Sequence, residues 1–382
     1  MFCVRRSDVQ IWGFVVLFKL SAGLQFCAPK PARTQSPETL VAIIIDHIQM
    51  RILYFLLLTF LYSCSTMKRP EFYTQTEYWK KYNDFLPKDL QYKATKLPIE
   101  VYWKWKDYSI HIDKMPIDNS PIKVIILHGS GANGRVLGLY GNYLNELGYE
   151  YLAPDLIGYG LTKNPSNRNI VYDEWVNCVS DLVDEEYQKD KKPIVLFGLS
   201  VGGMLAYQVA CKNSKVKGII VTTLADPRLQ NVRDDLSKNK FLSRVALPIG
   251  VGNFTKPIFD HLSLPIKWLC KMDRITNNKD FSKVFSNDKL GGGSKVKFRF
   301  LRTYLNYKPY KEPEQFDSCK VLFLQPGKDT WTPLETSKPF FDRIKGHKKL
   351  VILENCGHAP YEEVGLTTMK AEIQRFLNEQ KE

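Results

Sequence analysis

A doubly wound, mainly parallel α/β sheet with an inserted helical cap is predicted by three observations. Short, uninterrupted apolar strands alternate with helix-compatible segments from about residue 97 onward. One block, residues 226–316, breaks that alternation. One apolar run, 193–197, stops abruptly at Gly198-Leu199-Ser200-Val201-Gly202, and a helix-compatible segment follows at once. Strands buried on both faces and separated by helices belong to parallel sheets covered on both sides.

Val101–Trp105 and Tyr108–Ile112 alternate around Lys106-Asp107 and predict a hairpin. Lys123–Leu127 is a continuous apolar strand, Leu139–Leu147 a helix stopped at Gly148, and Tyr149–Ala153 the next strand. Asp173–Glu186 reads as a helix, Pro193–Phe197 as a strand, and Met204–Cys211 as the start of the helix behind it. Gly218–Thr223, Val321–Leu324 and Leu350–Leu353 complete the strands. The intervening block holds several prolines, a Gly291-Gly292-Gly293 run and apolar-rich pieces such as Phe254–Leu269. A structureless loop of that length is improbable, so it is assigned to a cap over the strand C-termini, where ligands bind in open α/β sheets. The expected organisation is a core of 97–225 and 317–382 with a cap of 226–316 and a linker or N-terminal extension at 65–96.

The 382 residues are 44% hydrophobic and 25% charged, enough for one large α/β domain with an insertion. The net charge of +14 is scattered, with no dense basic tract or nucleic-acid motif, so no nucleic-acid partner is expected. A preference for anionic membrane surfaces stays open. Eight cysteines fall to five after residue 64 (178, 211, 270, 319, 356), at wide spacings and without CxxC. A disulfide scaffold or a zinc site is therefore not expected, and most of these thiols read as small buried residues. No ligand-spaced cluster and no nucleotide loop occurs, so neither cofactor nor metal is expected.

Two export-like segments stand in tandem at the N-terminus. Residues 11–25 are apolar but interrupted by Lys19, and Met50-Arg51 leads into the apolar run 52–62 and then Ser63-Cys64-Ser65. A basic residue, a short apolar run and small residues form a secretory signal pattern too short to span a bilayer. The ending resembles a bacterial lipoprotein signal, in which the cysteine becomes the lipidated first residue. Synthesis is accordingly expected to start at Met50, with 1–49 an over-extended start, 50–64 the signal, and Cys64 the candidate lipidation site at the cell envelope; periplasmic, secreted or cytoplasmic location is the alternative. Six basic and three acidic residues precede Cys64, so cleavage would leave +11. Joining 40–62 into a transmembrane helix would bury Asp46, His47 and Arg51, which is costly.

The chemistry centres on Ser200. A serine at the apex of a strand–turn–helix needs small residues at 198 and 202, because side chains there would clash with the neighbouring strand and helix. Behind strand 123–127 comes His128-Gly129-Ser130-Gly131, a glycine-rich loop that exposes amides. Acyl transfer requires two N–H groups aimed at the developing oxyanion; Val201 and Ser130 are the candidates. His128 and Gly129 are assigned to loop support. Among later histidines, His261 falls in the cap and His347 among lysines; His358, in Cys356-Gly357-His358-Ala359, is the candidate base. Asp329, closing strand 321–324, is the candidate acid, with Asp226 the main rival and Glu354 a weaker one.

These residues, with Gly134-Arg135 and the Asp155-Leu-Ile-Gly158-Tyr-Gly160 turn, resemble the α/β-hydrolase superfamily, nearest its serine hydrolases of the monoglyceride lipase, lysophospholipase and proline-iminopeptidase-like groups. The resemblance covers about 97–380, and Ser200, Asp329, His358 follow that superfamily's chain order. Ser200 argues against the epoxide hydrolases and haloalkane dehalogenases of the fold, which use an aspartate. The resemblance implies a serine hydrolase cleaving a small-molecule or lipid ester through an acyl-enzyme. A thioester, amide or peptide, or carbon–carbon substrate remains the alternative on the same triad, and a non-catalytic binding lipoprotein the alternative outside enzymes.

Overall fold

The computed structural model describes residues 69–381 apart from 89, 94–95 and 166–168. The leader, the proposed start at Met50 and Cys64 lie outside the described residues. Eight strands form one sheet: β1 (Ile99–Trp105), β2 (Tyr108–Met115), β3 (Lys123–Leu127), β4 (Glu150–Pro154), β5 (Ile194–Gly198), β6 (Val216–Val221), β9 (Lys320–Pro326) and β10 (Lys348–Leu353), in the order β1-β2-β4-β3-β5-β6-β9-β10. β1 and β2 form the predicted hairpin and pair antiparallel, as do β2 and β4; from the β4–β3 pair onward every pairing is parallel. Two further strands, β7 (Ser263–Pro265) and β8 (Lys295–Lys297), pair only with each other inside the block between β6 and β9.

Alternation sorts the sheet residues onto two faces. Ile125, Leu127, Leu196, Ile219, Val221 and Phe323 face the helices Tyr172–Asp190 and Val201–Lys212. Val124, Ile126, Val195, Phe197, Ile220 and Leu322 face the helices Gly134–Glu146 and Glu363–Asn378. The strands therefore read as continuous apolar runs because neither face meets water. After β3 the chain turns to β4 on one side and later returns as β5 on the other, so the crevice beyond β3 and β5 is a switch point.

The helix expected at Leu139–Leu147 starts five residues earlier. Asn133 caps it, its side chain accepting from Val136 N at 3.0 Å, and Gly138 and Gly141 blur the apolar period because Tyr92 and Tyr151 pack where their side chains would be. Phe254–Leu269 is not one amphipathic element: helices Lys256–Phe259 and Ile266–Leu269 flank β7, with Pro265 preventing continuation. In the segment assigned to a linker or extension, Tyr73, Tyr82, Leu86, Leu90 and Tyr92 are buried, so it packs as part of the body. The five cysteines are all free.

A buried charge cluster ties this N-terminal segment to the sheet. Arg135 pairs with Asp113 and, at 3.2 Å, with Glu100; His111 lies 3.0 Å from Glu100 and 3.2 Å from Asp155. Tyr73 donates its hydroxyl to Asp155 at 2.8 Å. Burial alone would lower the His111 pKa, but Asp155, Glu100 and Asp113 outweigh it and raise it to about 10. Its folded pKa thus exceeds its unfolded value of about 6.5, so its stabilisation is complete below that value and is lost as pH rises towards 10. His111→Gln is expected to lower the urea midpoint at pH 6 and to flatten its decline between pH 6.5 and 10; an unchanged slope would mean that His111 is neutral.

Candidate active site

Ser200 caps the helix Val201–Lys212 with φ 55° and ψ −126°, a left-handed conformation that costs a non-glycine residue about 1–3 kcal/mol. The glycines around it permit the crowding. A β-carbon at Gly198 would lie 2.1 Å from Gly202 O, and one at Gly202 would lie 2.1 Å from Leu127 O. Ser200 N–H donates to Thr222 Oγ1 at 3.1 Å, and Leu199 N–H to Leu127 O at 3.0 Å, so both neighbouring strand ends hold the turn.

The loop after β3 rests on the same serine: a β-carbon at Gly129 would be 2.8 Å from Ser200 Cβ and 3.3 Å from its Oγ. His128 fixes this loop. Its Nδ1 is 2.8 Å from Gly129 O, and its Nε2 accepts from Leu156 N at 2.9 Å, which makes it neutral with the proton on Nδ1. Burial lowers its pKa, consistent with that state. The N–H groups of Ser130 and Val201 have no acceptor among the described residues. Val201 N–H opens a twelve-residue helix, whose positive end adds to its attraction for an anion.

Asp329 and His358 meet at 2.8 Å between Oδ2 and Nδ1, both buried. Burial alone would raise the Asp329 pKa; the His358 charge and hydrogen bond, with the backbone and side chain of Thr332, hold it below the usual carboxylate value. Trp331 and Thr332 N–H each donate to Asp329 Oδ1 at 2.8 Å, and Thr332 Oγ1 donates to Oδ2 at 2.8 Å while lying 3.1 Å from His358 Nδ1. With both Asp329 oxygens so occupied, the Nδ1 edge of the ring is held and the Nε2 edge is left over. That atom is buried without a partner, and no hydrogen bond links it to Ser200 Oγ. Bonds of this kind often close only when substrate is present.

The rival carboxylates are engaged elsewhere. Asp226 chelates Arg228, which also holds Glu312, while Glu354, His261 and His347 are exposed. Among the described residues the hydrogen-bond partners of His358 Nδ1 are Asp329 and Thr332, and no hydrogen bond joins it to Asp226.

Four residues at the site carried no sequence signal that singled them out: Thr222, Thr332, Arg274 and Asn277. Thr332 could have been sought three residues beyond Asp329, where a hydroxyl can turn back to the carboxylate. Arg274 and Asn277 come from the inserted block. Arg274 donates to Thr330 O at 3.1 Å, Ala359 N–H donates to Ile275 O at 2.7 Å, and Asn277 Nδ2 donates to Asn355 O at 2.8 Å. The insertion thus braces the loops carrying both Asp329 and His358.

Ser200, Val201 and Ser130 line a narrow pocket of about 60 Å³ with Tyr159 and Trp331. The cap contributes Leu236, Leu247, Ile266, Leu269, Phe300 and Leu305. Trp331 lies 4.5 Å from the His358 ring, joining the pocket to the Asp329–His358 pair. No Asp or Glu lines it.

Residues 119–365 match the family model described as serine aminopeptidase, S33. The chain belongs to that family. It is accordingly an α/β-hydrolase, as the sheet order and flanking helices independently indicate. Among curated relatives, an uncharacterised 31.7 kDa protein of Escherichia coli is 25% identical over 240 residues, covering 59% of this chain and 79% of its own. A soluble variant of the Saccharomyces cerevisiae monoglyceride lipase is similar in structure, with a TM-score of 0.62 and 17% identity over 76% of this chain and 98% of that one. A thermostable carboxyl esterase of Bacillus coagulans has a TM-score of 0.58 and 16% identity over 75% of this chain and all of its own. At these identities the structural likeness concerns the fold alone.

The Arg274→Ala/Asn277→Ala double substitution is expected to lower kcat by about ten- to a hundredfold with little change in KM, because it loosens the Asp329 and His358 loops without touching the pocket. Steady-state kinetics on a short p-nitrophenyl ester, beside a thermal melt, read the effect.

Proposed function

We propose that the protein is a serine hydrolase of carboxylic esters bearing an apolar acyl group. The observation that carries this reading is a pocket walled by aliphatic and aromatic side chains that contains Ser200 and adjoins the His358–Asp329 pair. Esters suit it better than peptides with a free amino terminus, since an ammonium group would need a carboxylate that the lining lacks.

Ser200 Oγ attacks the ester carbonyl carbon as its proton passes to His358 Nε2. Asp329 holds the ring and stabilises the imidazolium, and the Ser130 and Val201 amides receive the oxyanion. The tetrahedral intermediate expels the alcohol, which takes the proton from His358. Water, deprotonated by the same nitrogen, then attacks the acyl-enzyme, and the acid leaves as Ser200 recovers its proton. Strain at Ser200 keeps its hydroxyl clear of the helix that follows. Anchoring through a lipidated Cys64 at the bacterial cell envelope belongs to the same proposal, and the intact mass of the membrane-extracted protein checks it.

Ser200→Ala is expected to reduce hydrolysis of short p-nitrophenyl esters by roughly a thousandfold or more and to abolish labelling by a fluorophosphonate. Full activity in this variant would overturn the assignment. Leu301 also lines the cap side of the pocket, and Leu301→Phe, narrowing it, is expected to raise KM more for decanoyl than for acetyl esters; an acyl-chain-length series measures the difference.

A further inference from the structure

Within the inserted block, residues 237–270 form an excursion whose ends are pinned together. Ser237 and Cys270 form an isolated bridge, and Lys238 N–H donates to Leu269 O at 2.8 Å. Seven large apolar side chains on this excursion are exposed: Phe241, Val245, Ile249, Phe254, Ile258, Leu262 and Trp268. Phe254 is 97% exposed, Phe241 70% and Ile258 69%. Phe241, Val245 and Ile249 recur every four residues and so share one face of the helical stretch, while Leu247 and Val251 turn inward. Isolated exposed apolar residues are ordinary, but this density along one segment marks a surface that meets another phase or partner.

The charges say which. Lys238, Lys240, Arg244, Lys256, Lys267 and Lys271 punctuate residues 238–272, where the only acid is Asp260, buried and paired with Arg302 at 2.6 Å. Arg244 is balanced by Asp234 from just outside the excursion. Lys238, Lys240, Lys256 and Lys267 form no ion pair among the described residues, so their ammonium groups are uncompensated. Aromatic and aliphatic side chains interleaved with unpaired lysines match the boundary of an anionic bilayer, where apolar groups enter the acyl region and ammonium groups meet phosphates.

We propose that the excursion 237–270 docks the protein onto an anionic lipid surface, independently of any covalent lipid at its N-terminus. Leu247, Ile266 and Leu269, on the same excursion, line the Ser200 pocket, so the docking surface and the substrate wall are two sides of one piece of chain. This goes beyond the ester hydrolase reading, because binding to vesicles does not require turnover.

The test is flotation of the full chain with phosphatidylcholine vesicles, with and without about one third phosphatidylglycerol. Binding is expected to favour the anionic vesicles and to fall with salt, each lysine contributing about fivefold. Phe254→Ser/Ile258→Ser and Lys240→Glu/Lys256→Glu are each expected to weaken partitioning at least about tenfold while leaving short-ester hydrolysis and the melting temperature unchanged. Brominated lipids are expected to quench a component of the fluorescence that is absent in Trp268→Phe. Binding that is equal on neutral vesicles, or unaltered in both double variants, would overturn the proposal by assigning attachment to other residues. A concentration-dependent dimer abolished by Phe254→Ser/Ile258→Ser would likewise overturn it, by giving the face to a second copy of the chain.

Discussion

Three backbone segments approach one another so closely at the ends of β3, β5 and β6 that no side chain can stand between them, and the rest of the site is built on that contact. A carbonyl sits 2.1 Å from where a β-carbon would be at both Gly198 and Gly202, and 2.2 Å at Gly203. The helix behind Ser200 can therefore start directly against the strand ends, which brings Ser200, the Val201 amide and the Gly129–Ser130 loop into one small volume. The left-handed conformation of Ser200 is the cost of this geometry, of about 1–3 kcal/mol. The Thr222 and Leu127 hydrogen bonds and the two apolar layers offset it.

Most of the sheet was legible in the sequence because strands covered on both faces must be apolar throughout, and helices had to lie between them. Lys123–Leu127 was identified to the residue for that reason. The weaker readings failed where local pattern and tertiary demand diverge. The glycines of 134–141 look like helix breakers until Tyr92 and Tyr151 are seen filling the space beside them. The segment 65–96 looks like a linker or extension because its apolar residues are interleaved with lysines and prolines, and its helix Tyr78–Asn83 is only six residues long, too short for its period to stand out.

The residues proposed for chemistry stood out because a serine, a histidine and an aspartate each end a strand with glycine or proline nearby. The groups that orient them did not. Thr332 is one hydroxyl among many until its position between Asp329 and His358 is known. Arg274 and Asn277 act through backbone carbonyls far away in the chain, and a contact of that kind leaves no spacing to read. The same limit applies to Asp155. Its turn was conspicuous, yet its partners Tyr73, His111, Gly134 and Leu161 converge only in three dimensions.

The brace formed by Arg274, Ile275 and Asn277 divides the insertion into parts with different freedom to change. Residues 237–270 leave and rejoin the chain at a pinned neck and are held besides by β8 and Arg302 of the same inserted block, whereas the stretch immediately after them is bonded to the Asp329 and His358 loops. Grafting a foreign cap in place of the whole block would remove more than a lid, since the Asp329 and His358 loops would lose their outer supports. A graft confined to the excursion leaves those supports in place. Natural divergence faces the same seam: substrate range can drift by rewriting residues up to 270, while the few residues beyond must hold their backbone course for the hydrolase to remain one.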